Sequence, residues 1–188
     1  MLSELPELSG AAASAPPGQG LWARVRPYVQ IARIDHWFKN AFMALGILLA
    51  FFYRPELFSL ASAWTLIGAF FIACIIASSN YVLNELLDAP LDREHPTKRF
   101  RPAASGEIQP VVAVLLWGFL GIMGVTAAFE LNGPFGASAL GLWVMGCVYN
   151  VPPVRSKEVA YIDVLSESVN NPIRLALGWV ALVPDRLP

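Results

Sequence analysis

Charge is scarce in this chain. Only 14% of its 188 residues are charged, against roughly 25% in ordinary soluble domains. Three stretches carry no charge at all: 27 residues from Leu57 to Leu83, 22 from Ile108 to Phe129 and 24 from Leu131 to Val154. A helix needs roughly 20 apolar residues to cross a hydrocarbon core of about 30 Å. The scarcity therefore argues against a soluble domain and for an integral membrane protein. An excess of either sign is also lacking. A net charge of −1 supplies no field to draw nucleic acid, and no nucleic-acid partner is expected. There are two cysteines, Cys74 and Cys147, each inside an apolar run. That excludes a disulfide framework or a thiolate metal site and leaves them as small buried residues. The first twenty residues, "MLSELPELSGAAASAPPGQG", lack a basic region followed by an apolar one. They do not read as a secretory signal, and residues 1–22 are expected to form a disordered cytoplasmic tail. No Ser–His–Asp or Cys–His grouping offers a nucleophile.

What is there reads as an all-α, multi-pass transmembrane bundle over residues 23–188. Five membrane segments are expected, at about His36–Tyr53, Leu57–Leu86, Gln109–Phe129, Pro134–Tyr149 and Tyr161–Val183. Arg24, Arg26, Arg33 and Lys39 precede the first; Arg93, Lys98, Arg99 and Arg101 separate the second and third; Arg155 and Lys157 separate the fourth and fifth. The opposite connections hold only Arg54. The positive-inside rule then places the N-terminus and the loop Asn84–Pro102 in the cytoplasm, across a membrane of the bacterial inner type. The chain stops at "VPDRLP", directly after the fifth segment. It is expected to be an incomplete unit or one half of a larger bundle, completed by a second half-bundle or a second copy.

The polar residues within this apolar chain are ordered. Asn80, Asn84, Asp88 and Asp92 recur every fourth residue, so on a helix they lie along one face. Pro90 is expected to kink or end that helix, with Asp88 and Asp92 converging on one point. Two carboxylates with amide help suit Mg²⁺, a hard cation usually shared with substrate phosphates. Arg93, His95, Lys98, Arg99 and Arg101 follow at once, as binding a diphosphate would require. An ordinary solvated loop with internal ion pairs explains the same cluster, since basic residues at membrane surfaces are common. A second stripe, Asp163, Glu167, Asn170 and Arg174, shares a face of the fifth segment, with Asn171 beside it. Ionisable groups at that depth normally face a bundle interior or a wet cavity. Asp163 at the helix start also reads as a cap, and Arg174 as a partner of Glu167. In "ARIDHWFKN", Lys39 and Asn40 either extend a phosphate site or belong to an interfacial entry anchored by Trp37.

The stretch "NELLDAPLDREHPTKRFRPAASG" resembles the first aspartate-rich motif of the UbiA superfamily of intramembrane prenyltransferases. Asn84, Asp88, Asp92, Arg93, Pro96, Lys98, Arg99, Arg101 and Pro102 match it, and Glu85 stands where aspartate is usual. "YNVPPVRSKEVAYID" resembles that superfamily's tyrosine–lysine segment. The wording "DREHPTKRFRP" and "HWFKN" is also similar to its branch that joins a phosphoribosyl group to a polyprenyl phosphate. The resemblance implies a helical bundle around a lipid-accessible cavity, with Mg²⁺ held by two aspartate-rich motifs, the second lying beyond this chain. It implies a membrane-lipid substrate, either a polyprenyl diphosphate that loses its diphosphate to an acceptor or a polyprenyl phosphate that accepts a phosphoribosyl group. The expected metal ligands are Asn84, Glu85, Asp88 and Asp92. Asp88, Asp92, Arg93 and Lys98 are the expected catalytic groups. Lys39, Asn40, Asn80, Arg99, Arg101, Lys157, Asp163, Glu167, Asn170 and Arg174 are the expected substrate contacts. A transporter or lipid-binding subunit without catalysis is the rival from another class.

Overall fold

Uncharged runs of this length satisfy their backbone in a bilayer by forming helices, and the computed structural model, which describes residues 20–186, has no strand among them. In chain order the helices are α1 (Leu21–Ile31), α2 (Met43–Tyr53), α3 (Leu60–Glu94), α4 (Pro102–Ser105), α5 (Pro110–Leu131), α6 (Gly133–Asn150) and α7 (Ile162–Val180). Their starts are chemically marked. The Ser59 hydroxyl accepts from the Ser62 N–H at 3.1 Å, and the Asn132 side chain accepts from the Phe135 N–H at 2.8 Å, each satisfying an orphan donor. Proline occupies the first turn of α5 and α6, where its missing N–H costs nothing.

Helices cover the five expected segments, but among the described residues only α3 and α5 are long and apolar enough to cross a membrane by length and composition, and three further points differ. First, α3 does not stop near Leu86 or break at Pro90; it continues as helix through Pro90 to Glu94. Proline removes only one intrahelical bond, and the flanking α4 and α5 hold this end of the helix from outside. Its 35 residues span about 52 Å at about 1.5 Å each, well beyond a hydrocarbon core of about 30 Å. The last turns thus carry Asp88 and Asp92 out of the apolar layer. Second, residues 34–42 form a 3₁₀ segment ahead of α2 rather than part of one membrane helix. Third, the expected tail to residue 22 is too long, because α1 begins at Leu21; residues 1–19 of that tail lie outside the described residues.

α3 packs on α5 and α6, α6 on α5 and α7, and α7 on α2. The main core joins Met43, Ile76, Phe135, Leu142, Leu177 and Val180. α2 and α7 cross with almost no space between their backbones. A Cβ on Gly178 would overlap the Met43 carbonyl, and one on Gly46 would overlap the Leu175 carbonyl. Small residues at such crossings let membrane helices reach van der Waals contact where lipid provides no hydrophobic drive. Leu115, Phe119 and Ile122 on α5 are each more than 60% exposed, an apolar outer face suited to lipid rather than water. Asn132 ties one end of the bundle by donating to the Val180 carbonyl at 3.0 Å.

Candidate active site

At the charged end, α3, α6, α7 and the 3₁₀ segment enclose a cavity of about 270 Å³. Arg33, His36, Lys39, Arg101 and Arg174 line it from several sides, with Glu167 as the only carboxylate among its lining residues. Asn80, Asn84, Asn150, Asn170, Tyr81 and Tyr149 supply its neutral polar wall. The polar ladder read from α3 thus splits by level. Asn80 and Asn84 face the cavity, while Asp88 and Asp92 lie beyond it toward the helix end.

The two aspartates hold separate partners, which corrects the expected convergence. Asp88 Oδ1 accepts from Lys157 Nζ at 2.5 Å and from Arg155 Nη2 at 3.0 Å. Asp92, 5% exposed at its side chain, accepts from Arg101 at 2.7 Å, with Lys98 4.0 Å away. Four residues of helix advance about 6 Å and rotate about 40°, enough to present the carboxylates to different loops. Glu85 turns away from both, because the next residue along a helix faces about 100° round from Asn84. Its buried carboxylate accepts from the Ala103 N–H at 3.3 Å, at the start of α4.

The other expected residues divide in the same way. Arg93 donates to the Ala104 carbonyl at 3.4 Å, at the end of α4. Arg99 lies over the exposed Phe100 ring at 4.8 Å. Neither lines the cavity. Lys39 does reach it and stands 3.9 Å from Glu167. Arg174 is 6% exposed and donates to Asn40 Oδ1 at 3.1 Å and to Asn171 Oδ1 at 3.4 Å. It pairs with amides, so its charge is not cancelled by a contacting carboxylate. Asn170 donates to Glu167 at 3.3 Å. Asp163 accepts the Tyr149 hydroxyl at 2.8 Å, which makes it more than a helix cap. Asn80 donates to the Leu142 carbonyl at 2.9 Å, while its own buried Oδ1 lacks a protein partner.

The tightest constellation surrounds Lys157. Its ammonium donates to Asp88 Oδ1, to Asn84 Oδ1 at 3.1 Å and to Asn150 Oδ1 at 2.9 Å. Burial pulls its pKa below the ordinary lysine value, and the hydrogen bond to Asp88 pushes back upward. Asn150 and Arg155 were not among the sequence candidates. The signal for them was their place in "YNVPPVRSKEVAYID", next to Lys157. Arg33, at φ 50°, and Arg155, at φ 27°, both hold left-handed backbone, which costs a non-glycine residue energy and often marks functional sites. Arg33 then donates to His36 Nε2 at 2.8 Å, and Arg155 bridges Asp88 and Glu158.

Among the described residues no three carboxylate, imidazole or thiol groups cluster. A donor set with fewer charged ligands can call on amide oxygens. The oxygens around Lys157 are such a set: one carboxylate and two amides from α3 and α6 already converge on a cation. An all-oxygen donor set of this kind fits Mg²⁺.

The family model for the UbiA prenyltransferase family matches residues 39–187. The chain is 32% identical to a nodulation protein, NoeC, of Azorhizobium caulinodans over 166 residues, covering 87% of this chain and 52% of that one. It is 32% identical over 153 residues to a decaprenyl-phosphate phosphoribosyltransferase of Mycolicibacterium smegmatis, covering 81% and 47%. The chain thus spans about half the length of these curated relatives. A UbiA homolog from Archaeoglobus fulgidus, solved bound to GPP and Mg²⁺, has the same fold with a TM-score of 0.65 at 22% identity, over 88% of this chain and 56% of that one.

Proposed function

The chain belongs to the UbiA prenyltransferase family, and we propose from that premise that it contributes ligands to a Mg²⁺-dependent site in which a diphosphate leaves its donor beside the membrane. The observation that supports this reading is the pairing of an oxygen nest at Asn84, Asp88 and Asn150 with a cavity rich in cations. Those three residues would hold Mg²⁺, which when bound supplies charge stabilisation to the departing diphosphate. Asp92 serves indirectly, by fixing Arg101 at the cavity wall. Arg33, Lys39, Arg101 and Arg174 bind and orient phosphoryl oxygens. Preorganised charge of this kind acts strongly where water is sparse, so no nucleophilic side chain is required. The positive-inside pattern supports a cytoplasmic position for this end.

The donor we favour is phosphoribosyl diphosphate, with a polyprenyl phosphate as acceptor. Arg33, Lys39, Arg101 and Arg174 reach the cavity from different sides, although Arg33 pairs with Asp35, Lys39 with Glu167 and Arg101 with Asp92, and that spread suits more than one phosphate. A phosphoribosyl diphosphate brings a further phosphate on its sugar, and the acceptor brings another. Similarity to a phosphoribosyltransferase over most of this chain supports the same choice. An allylic polyprenyl diphosphate passed to an acceptor is the second reading, supported by the family itself and by the GPP-bound fold relative. The full-length protein, given each donor with Mg²⁺ in lipid vesicles, should release diphosphate from phosphoribosyl diphosphate only when polyprenyl phosphate is present. Release from an allylic diphosphate instead would select the second reading.

Arg174 provides a further expectation. Replacement by methionine keeps an unbranched apolar stem but removes the buried charge and the donor to Asn40. A hydrogen bond to a charged group contributes about 1.5–3 kcal/mol. Arg174→Met should therefore lower kcat/KM by about ten- to a hundredfold, with the loss appearing mainly in KM for the donor. A KM equal to wild type would remove Arg174 from the binding set.

A further inference from the structure

Lys157 sits where the metal would sit, and this has consequences for the order in which ligands bind. Its ammonium has three N–H donors, and each has an oxygen acceptor: Asp88, Asn84 and Asn150. Mg²⁺ binds its oxygens at about 2.0–2.1 Å and would need the space among the same three residues. An ammonium and a divalent cation gathered on one set of oxygens would lie within a few ångströms of each other, where their charges repel.

We propose that Lys157 is a resident cation of the oxygen nest, that it must withdraw before a divalent ion can enter, and that a diphosphate in the adjoining cavity is what draws it out. The proposal rests on the reading of Asn84, Asp88 and Asn150 as metal ligands. The backbone around Lys157 is suited to such an exchange. It lies on the short turn Ser156–Glu158 between α6 and α7, and the neighbouring Ser156 hydroxyl is anchored on Ser166 at 3.0 Å. The turn stays fixed while a flexible four-carbon stem re-aims its charge. The move is short, because Asn84 and Asn150 line the cavity as well as holding the ammonium. Arg155 remains on Asp88 when Lys157 leaves, so the carboxylate keeps a partner.

Metal and diphosphate are then coupled ligands. Each raises the other's affinity by the same factor, because each benefits from the same displacement of Lys157. Without Lys157 the share of the coupling that comes from its displacement falls away, and only the share from direct contact between metal and diphosphate remains.

The test is Mn²⁺ binding by electron paramagnetic resonance, using the full-length protein in detergent with and without inorganic pyrophosphate. Wild type should bind Mn²⁺ weakly alone and about tenfold more tightly, or better, with pyrophosphate. Lys157→Met should bind Mn²⁺ about tenfold more tightly than wild type without pyrophosphate and should gain a smaller factor from adding it than wild type does. Lys157→Arg keeps a cation in the nest and should stay weak. Lys157→Gln serves if the methionine variant is not monodisperse. Should neither neutral variant bind Mn²⁺ more tightly than wild type, while Asp88→Asn still abolishes binding, the displacement idea fails and the metal site stands. Should Asp88→Asn leave Mn²⁺ binding intact, the metal site itself fails, and the inference with it.

Discussion

Asp88→Asn is expected to lower transfer by about a thousandfold or more, the scale on which removing preorganised charge from a reacting centre is felt. The substitution keeps the shape of the side chain, so the fold should survive. It removes the one carboxylate of the oxygen nest and leaves Lys157 and Arg155 without the anion they share. Both cations are largely buried, at 12% and 13% side-chain exposure, so neither can turn to water for compensation. Arg155 retains Glu158 at 2.6 Å; Lys157 keeps only amides. The loss should appear in kcat and in the Mg²⁺ concentration needed for half-maximal rate. Diphosphate release by the full-length protein across a Mg²⁺ series measures both. Activity within tenfold of wild type at saturating Mg²⁺ would remove Asp88 from the chemistry. A transporter or lipid-binding subunit predicts that unchanged result.

Gly178→Val should have the largest effect on the fold. The new Cβ would overlap the Met43 carbonyl, and backbone cannot yield as a flexible side chain does. The crossing carries no spare room, because Gly46 makes the reciprocal approach to Leu175 on the same face. Separating α2 from α7 would strip cover from Met43, Leu177 and Val180, all in the main core. A cost of about 3 kcal/mol or more is expected, a large share of the few kcal/mol by which a domain is stable. Size-exclusion profiles and thermal unfolding in detergent should show aggregation or a strongly lowered Tm. Gly141→Ala, at a position with open space around the added methyl, is the matched control and should be nearly neutral. A wild-type Tm for Gly178→Val would mean that the two helices do not approach as described.

The second, third and fourth segments were legible because uncharged length is a local property, visible without knowing the neighbours. So was the polar ladder on α3, because a four-residue period fixes one helical face. Its chemistry was less legible, since a face says nothing about what stands opposite it. Asp88 and Asp92 share a face yet meet different loops, and only the placement of Arg155, Lys157 and Arg101 distinguishes them. The nest around Lys157 joins residues up to 73 positions apart, a separation that no periodicity reports. Glu85 entered as a ligand through the resemblance, in the place of an aspartate, but on the helix it faces about 100° round from Asn84 and meets the Ala103 N–H instead. Of the two outcomes expected at Pro90, an end to the helix does not occur: α3 runs on to Glu94, because contacts with the flanking elements hold its last turns. The close approach of α2 and α7 was hidden in two glycines that look unremarkable among the chain's 14.

The central claim is that Asp88 and its neighbouring amides hold a metal that also touches the donor's diphosphate. Phosphorus hyperfine coupling to bound Mn²⁺, measured by electron–nuclear double resonance on the full-length protein with phosphoribosyl diphosphate, tests it most directly. The account predicts a resolved ³¹P coupling in wild type that disappears in Asp88→Asn. A coupling of the same size and occupancy in both proteins would place the metal elsewhere and contradict it.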